Sequence, residues 1–378
     1  MTTNHQTSRR QFIGTVAAGS AGVLLSSSQH AAGYQSPNER PVFATIGLRN
    51  QGWAITNKST RFADFVALAD VDSNVLGATA EQLQKTQRKA PDTYSDYRKV
   101  LDRKDVDAVM IATPDHWHTK VAVEAMLAGK DVYCEKPLAH TAWECRQLTL
   151  IAEKMGVATQ LGNQRHANAG MARAVEAVQS GMVGKITEVY TAVGGSRGMP
   201  AVPKTFPAVP SHLNWELWQG PVALRKYSPE YCPYKWRFWW DYGTGETGNW
   251  GCHILDIPYW ALGLKYPRRV DLDVVPKPEE IDPQRTPKSM KTRLEFAAEN
   301  GHDAVTLHWW HGSLDAVFAK HKAQKYGNTL FLGEKGTISA GFDGYKAVLN
   351  DGSTPEAPKA SIPKSPGFYT EWIIACKG

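Results

Sequence analysis

Lysine, histidine, carboxylate and amide side chains next to glycine or proline turns are the raw material of proton-transfer chemistry, and this chain gathers them in three places. The first is Ala112-Thr113-Pro114-Asp115-His116-Trp117-His118. The second is Cys134-Glu135-Lys136-Pro137-Leu138, where Pro137 stiffens the backbone just after Lys136 and can hold the lysine in one orientation. The third runs from Gly243 to Asp256. On a helix, its Asn249, His253 and Asp256 fall at i, i+4 and i+7 and share one face, and its glycines let that helix start close to a ligand. Plainer readings stand beside these. A lone histidine is more often structural than reactive, so His116 and His118 could be ordinary residues of a strand–helix turn. A zinc site at Cys252, His253 and Asp256 is disfavoured because Cys252 points off the shared face, so no metal is expected.

A nucleotide site is suggested by Gly47-Leu48-Arg49-Asn50-Gln51-Gly52. A dinucleotide turn needs glycine at the tight bend, at the closest approach to pyrophosphate and at the helix–strand contact. Gly47 and Gly52 fill the first and third roles. Arg49 stands where the middle glycine belongs: it can crowd the pyrophosphate, or point outward and bring its guanidinium to a phosphate. Asp70 ends the second predicted strand. A carboxylate there accepts hydrogen bonds from ribose hydroxyls and repels a 2′-phosphate, which favours NAD over NADP. Asp72 adds the same sign.

The elements that must position these residues alternate. Strands are expected at 42–46, 65–69, 108–112, 131–134 and 157–161, with helices at 76–88, 118–127 and 142–155. That alternation predicts an α/β fold with an N-terminal, doubly wound, NAD(P)-binding Rossmann domain over 40–165. Its carboxyl strand ends carry both the 112–118 and the 134–138 stretches, where ligands bind in such sheets. Beyond it, a helix at 171–180 and strands at 189–193, 270–275, 292–296, 304–309 and 329–332 predict an α+β domain over 166–378 with an open, mainly antiparallel sheet. Residues 371–376 read as a helix just beginning, so the chain is expected to be a fragment.

Composition narrows the class. Hydrophobic residues make up 42% and charged residues 21%, an ordinary globular balance. The net charge is +6 with no long basic run, so no nucleic-acid footprint is expected. Five cysteines without a CxxC pair disfavour a disulfide framework. Residues 1–35 read as a twin-arginine signal: Ser8-Arg9-Arg10-Gln11-Phe12-Ile13, an apolar run to Leu25 too short to span a bilayer, then small residues at Ala31 and Ala32. Periplasmic export of a folded protein, without stable membrane insertion, is the expectation.

Together these motifs resemble the glucose–fructose oxidoreductase, inositol dehydrogenase and rhizopine-catabolism family (Gfo/Idh/MocA). Glu135-Lys136-Pro137 is the most specific element, supported by the ATPxHxH-like stretch and the GxxGxxxxH-like run, and the likeness covers most of the chain after residue 40. Asn214-Trp215-Glu216-Leu217-Trp218-Gln219-Gly220-Pro221 with Trp236-Arg237 resembles a subgroup of exported bacterial members. Family members usually continue beyond the point where this chain stops. The resemblance implies a catalytic lysine, here Lys136, and an Asp and a His four apart on a substrate-domain helix. His253 matches. Asn249 holds the Asp position and can orient a hydroxyl but cannot carry charge or act as base. Either Asp256 or the lysine alone compensates, or the reaction departs from simple alcohol oxidation.

The implied chemistry oxidises a secondary hydroxyl of a sugar or cyclitol, with hydride passing to NAD. Lys136 must then have its pKa, ordinarily ~10.4, brought down to act near neutrality. His253 relays the proton, Glu135 positions Lys136 or touches the cofactor, and Thr113, Pro114, His116 and His118 lie on the cofactor side. Of the clustered Trp215, Trp218, Trp236, Trp239, Trp240, Trp250 and Trp260, most are expected in a core and one or two in a sugar cleft. A homo-oligomer through the second sheet is expected. Two other functions compete: a glycoside hydrolase or lyase that uses tightly bound NAD transiently, and a non-catalytic NAD- or sugar-binding protein, suggested by Asn249 and Arg49.

Overall fold

The structure is a computed structural model that describes residues 40–195, 197–274, 281–299 and 302–377. The export-signal reading falls on residues 1–35, outside the described residues.

The central strands of the first sheet are buried on both faces. Every residue of β4 (Ala108–Ile111) and β5 (Asp131–Glu135) is buried, as is most of β1 (Val42–Ile46). With β2 (Asp64–Ala69), β3 (Asp92–Tyr94) and β6 (Thr159–Gly162) they form a six-stranded sheet in the order β3-β2-β1-β4-β5-β6, parallel throughout. The chain reverses direction across the sheet between β1 and β4, which opens a crevice at their carboxyl ends. Local chemistry sets the helix ends. Asp72 accepts from the N–H groups of Asn74 and Val75 to start α2 (Ser73–Gln87), after α1 (Gln51–Ser59). Helix α3 (Arg98–Leu101) is one turn. Pro114 precedes α4 (Asp115–Leu127), and a Thr141–Glu144 capping box starts α5 (Ala142–Met155), which Gly156 ends in the left-handed conformation. The predicted 76–88 and 118–127 helices therefore each begin three residues earlier, at their caps.

The second sheet has seven strands: β7 (Ile186–Val193), β8 (Arg269–Val274), β9 (Met290–Phe296), β10 (Val305–His311), β11 (Thr329–Gly333), β12 (Gly336–Gly341) and β13 (Gly344–Leu349). Their order is β13-β12-β11-β7-β10-β9-β8, and only the central β7–β10 pair is parallel. The open, mainly antiparallel sheet expected from sequence is present. Helix α6 (Ala169–Gln179) and residues 257–264 bury its inner face through Val175, Ile257, Leu307 and Phe331.

The helix Phe368–Lys377 leaves this second sheet and packs on the first. Trp372 is wholly buried against Phe43 and Tyr133, with ring centroids 6.0 and 6.2 Å away. Residues 166–378 are thus not all devoted to the second layer: Trp372 and Ile373 join Ile55 of α1 and Leu83 of α2 in covering Phe43, Phe65 and Tyr133.

Candidate active site

The carboxyl ends of β1, β2, β4, β5 and β6 open into one cleft of about 640 Å³, walled on the far side by residues between 213 and 253. At its nucleotide end, Gly47 has φ +83°, and a Cβ there would lie 2.7 Å from the backbone of Ala112 and Thr113. A Cβ on Gly52 would sit 2.0 Å from the Gly47 carbonyl oxygen. Only glycine lets β1, the turn and the end of β4 approach this closely, so α1 starts at the cleft with its N-terminal N–H groups there. Arg49 does not occupy the turn as a crowding side chain: its guanidinium bonds Asp72, 2.5 Å away, at the start of α2. Asp70 accepts from the Leu48 N–H at 2.8 Å and the Asp72 N–H at 2.9 Å, and burial raises its pKa. A carboxylate offers about four acceptor positions, so two remain. Thr113 lines the same end, with a buried hydroxyl that has no protein partner. A cradle that any side chain would fill, a helix N-terminus for phosphates and a carboxylate for ribose hydroxyls fit a dinucleotide.

At the other end, Lys136 Nζ donates to the Asn249 carbonyl at 2.6 Å and to Asn249 Oδ1 at 3.2 Å. Burial lowers the lysine pKa, and the nearby Arg237 charge adds to the effect. Two N–H bonds to Asn249 leave the third position of the amine, proton or lone pair, for the cleft. Asn249 is itself held: its Nδ2 donates to Glu246 at 3.1 Å, and Glu246, buried, pairs with Arg197 at 2.8 Å.

The region 247–256 is not one regular helix. A π-turn at Thr247–Gly251 leads into short helical turns at Cys252–Ile254 and Asp256–Leu262. Asn249 and His253 still line the cleft, but Asp256 does not join them. This corrects the shared-face expectation: the wide turn shifts the phase, so the 3.6-residue count overshoots. Asp256 instead accepts from Asn163 Nδ2 at 2.9 Å and from His166 at 2.8 Å. Asn163 Oδ1 in turn receives the His253 Nδ1 hydrogen at 2.6 Å. With Asp256 fixing the amide, His253 carries its proton on Nδ1 and presents Nε2 as an acceptor. Burial and the Lys136 charge push its pKa down to about 4, so the ring stays neutral.

Glu135 lines the cleft, where its Oε1 accepts from Gln51, Tyr133 and Gln164. It is anchored to the nucleotide-side helix rather than to Lys136. His118 is buried with both ring nitrogens on carbonyls, Thr113 at 2.8 Å and Pro137 at 2.7 Å. Burial opposes its charge, but the Cys134 sulfur, Asp115 and the Pro137 carbonyl push it up to about 10. Both nitrogens must donate, which agrees with an imidazolium that straps the ends of β4 and β5 beside Lys136. His116 is placed elsewhere. It packs among Trp117, Trp218 and Tyr242, bonds the carbonyls of Trp218 and Tyr242, and does not line the cleft. Its structural reading holds: Asp115, Trp117 and His118 of the same turn line the cleft, while the His116 ring is turned into the aromatic cluster. Pro114 lines the cleft. Of the seven clustered tryptophans, Trp218, Trp236 and Trp250 line it, one more than expected.

Sequence reasoning missed Asn163, Gln164, Arg237, Glu246 and Tyr369. The first two directly follow β6, the same carboxyl edge that supplies Lys136, so position along the alternation was an available signal. Arg237, on the far wall, was marked only as part of the Trp236-Arg237 resemblance and not as a site residue, and Tyr369, on the returning helix, carried no signal.

Comparison with known proteins agrees with this geometry. Residues 43–163 match the family described as "Oxidoreductase family, NAD-binding Rossmann fold", and residues 201–304 match its "C-terminal alpha/beta domain". A "Glycosyl hydrolase family 109 protein 1" of Shewanella sp. (strain ANA-3) is 33% identical over 115 residues, 29% of this chain and 25% of that protein. An "Inositol 2-dehydrogenase" of Salmonella paratyphi B is 35% identical over 128 residues, 34% of this chain and 37% of that protein. The chain thus spans well under half the length of these curated relatives. Among solved structures, an NAD-binding protein from Listeria innocua superposes with a TM-score of 0.62 at 18% identity, over 88% of this chain and 86% of that one, which is a likeness of fold.

Proposed function

This chain belongs to the Gfo/Idh/MocA oxidoreductase family, with an NAD-binding Rossmann domain, and we propose that it oxidises a secondary hydroxyl of a sugar or cyclitol with Lys136 as the base. The observation that carries this reading is the Lys136 amine held on two oxygens of Asn249 beside His253 in the dinucleotide cleft. When bound, NAD supplies a two-electron hydride acceptor. The residues do the rest. Neutral Lys136 takes the hydroxyl proton at its free position, while Asn249 keeps the amine from swinging away. His253 Nε2 accepts from the neighbouring hydroxyl and so orients the carbinol. Asp70 supports NAD over NADP because a 2′-phosphate would meet a buried carboxylate. The inositol dehydrogenase relative supports a polyol substrate.

The test is net NADH formation when the protein and NAD meet a panel of sugars and cyclitols. Lys136→Ala should lose turnover by about 10²-fold or more while still binding NAD. Full activity in that variant sinks the assignment.

The glycosyl hydrolase family 109 relatives favour a second reading, in which NAD stays bound and is reduced only transiently while a glycosidic bond is cleaved. The twin-arginine pattern agrees with it, since an exported enzyme has little means of reoxidising free NADH. Cleavage of an aryl glycoside by protein that carries NAD, with no net NADH, selects this reading. Absence of both cofactor and reaction selects the binding protein.

A further inference from the structure

We propose that the substrate carries an anionic group, a carboxylate or a phosphate or sulfate ester, and that Arg237 receives it. The inference rests on the sugar-directed reading above and adds the substrate's charge. Arg237 lines the cleft, stacked on Trp236 with its guanidinium 4.2 Å from the ring centroid. Among the described residues it donates to the Tyr234 carbonyl at 3.2 Å, and no carboxylate forms an ion pair with it. An arginine presents five N–H donors in a planar fork suited to two oxygens of one anion.

The carboxylates that could neutralise this cation are committed elsewhere. Asp115 lines the cleft as well, but it is buried and accepts from Thr244, and among the described residues it forms no ion pair with Arg237. Glu135 takes three donors from Gln51, Tyr133 and Gln164. Glu246 is paired with Arg197 and holds Asn249. A second guanidinium, that of Arg165, lines the cleft too. The substrate end of the cleft therefore holds a guanidinium that no carboxylate among the described residues pairs with. Desolvating an unpaired cation is costly, and a site that does so recovers the cost only when an anion arrives. Arg237 belongs to the wall around Lys136 rather than to the Gly47–Gly52 turn, so a substrate anion answers it better than the cofactor pyrophosphate.

The experiment is calorimetric titration of the full NADH-loaded chain with paired ligands: glucuronate, galacturonate, glucose 6-phosphate and glucose 6-sulfate, each against its neutral sugar. At least one anionic ligand should bind about 10- to 100-fold tighter than its neutral partner, and the arm that wins identifies carboxylate, phosphate or sulfate. The preference should fade as salt is raised, a measurement that needs no variant. Arg237→Gln should abolish the preference while leaving NADH affinity unchanged, and Arg237→Lys should keep part of it. Equal binding of neutral and anionic ligands, binding of none, preference that survives in folded Arg237→Gln, or a loss confined to NADH overturns the proposal. Anion preference without hydride transfer would leave it standing and overturn the oxidoreductase reading instead, whereas NADH formed from neutral sugars alone does the reverse.

Discussion

Asn249 divides one side chain between two charged groups: its oxygen faces Lys136, and its nitrogen faces Glu246. An amide can serve both, since it has an acceptor and a donor. A carboxylate in its place would set two anions about 3 Å apart, and would also favour the ammonium form of Lys136. Asn249→Asp should therefore move the lysine-controlled limb of the kcat/KM pH profile upward by about one unit or more, with activity lost at neutral pH. An unmoved limb would mean that Asn249 does not tune the lysine. In the unaltered protein that limb should lie below the ordinary lysine range, with rate rising as pH rises, because burial lowers the Lys136 pKa. His116 gives a stability prediction. Burial holds its pKa at about 4, below the unfolded 6.5. Its stabilising neutrality is fully present above pH 6.5 and is lost as pH falls towards 4, worth roughly 2 kcal/mol at pH 4.5. His116→Asn should flatten the dependence of denaturation midpoint on pH over that window. Lys136 and His253 were legible in sequence because short motifs announce them. The true place of Asp256 was not, because a π-turn leaves no mark in the residue pattern.

Helix α1 shows how little local preference some elements have. Its sequence, QGWAITNKS, carries no acidic first turn and weak helix formers, and the sequence reading assigned no helix there. The β1–turn–β4 contact forces it instead. Gly52→Ala would drive a methyl into the Gly47 carbonyl, 2.0 Å from the ideal Cβ. It should cost several kcal/mol, read by urea denaturation, and weaken NADH binding, read by fluorescence titration. Strands β1 and β4 were legible as short apolar runs, since buried strands of a parallel sheet read that way. The hairpin of β12 and β13 was not. Gly336, Gly341 and Gly344 dilute its alternation, and its register comes from pairing with β11.

On the scale of the whole molecule, the two sheets were legible from the change in rhythm after Gly162, but the wiring between them was not. Phe368–Lys377 crosses back, covers Phe43 with Trp372, and delivers Tyr369 to the cleft. Trp372→Ala should cost about 3–5 kcal/mol, read by denaturation, and should unfold the dinucleotide domain rather than only fray a helix. Hydrogen exchange in 42–46 and 131–135 reports which. The export proposal is tested apart from the fold: Arg9→Lys with Arg10→Lys should keep the protein in the cytoplasm, and unchanged export would discard the twin-arginine reading.

That returning helix also sets a schedule. On the ribosome, β1 emerges early and Trp372 more than three hundred residues later, so the nascent dinucleotide domain waits for the ring that completes the apolar wall over Phe43 and Tyr133. The dinucleotide domain therefore completes that wall only after every strand of the second sheet has been made.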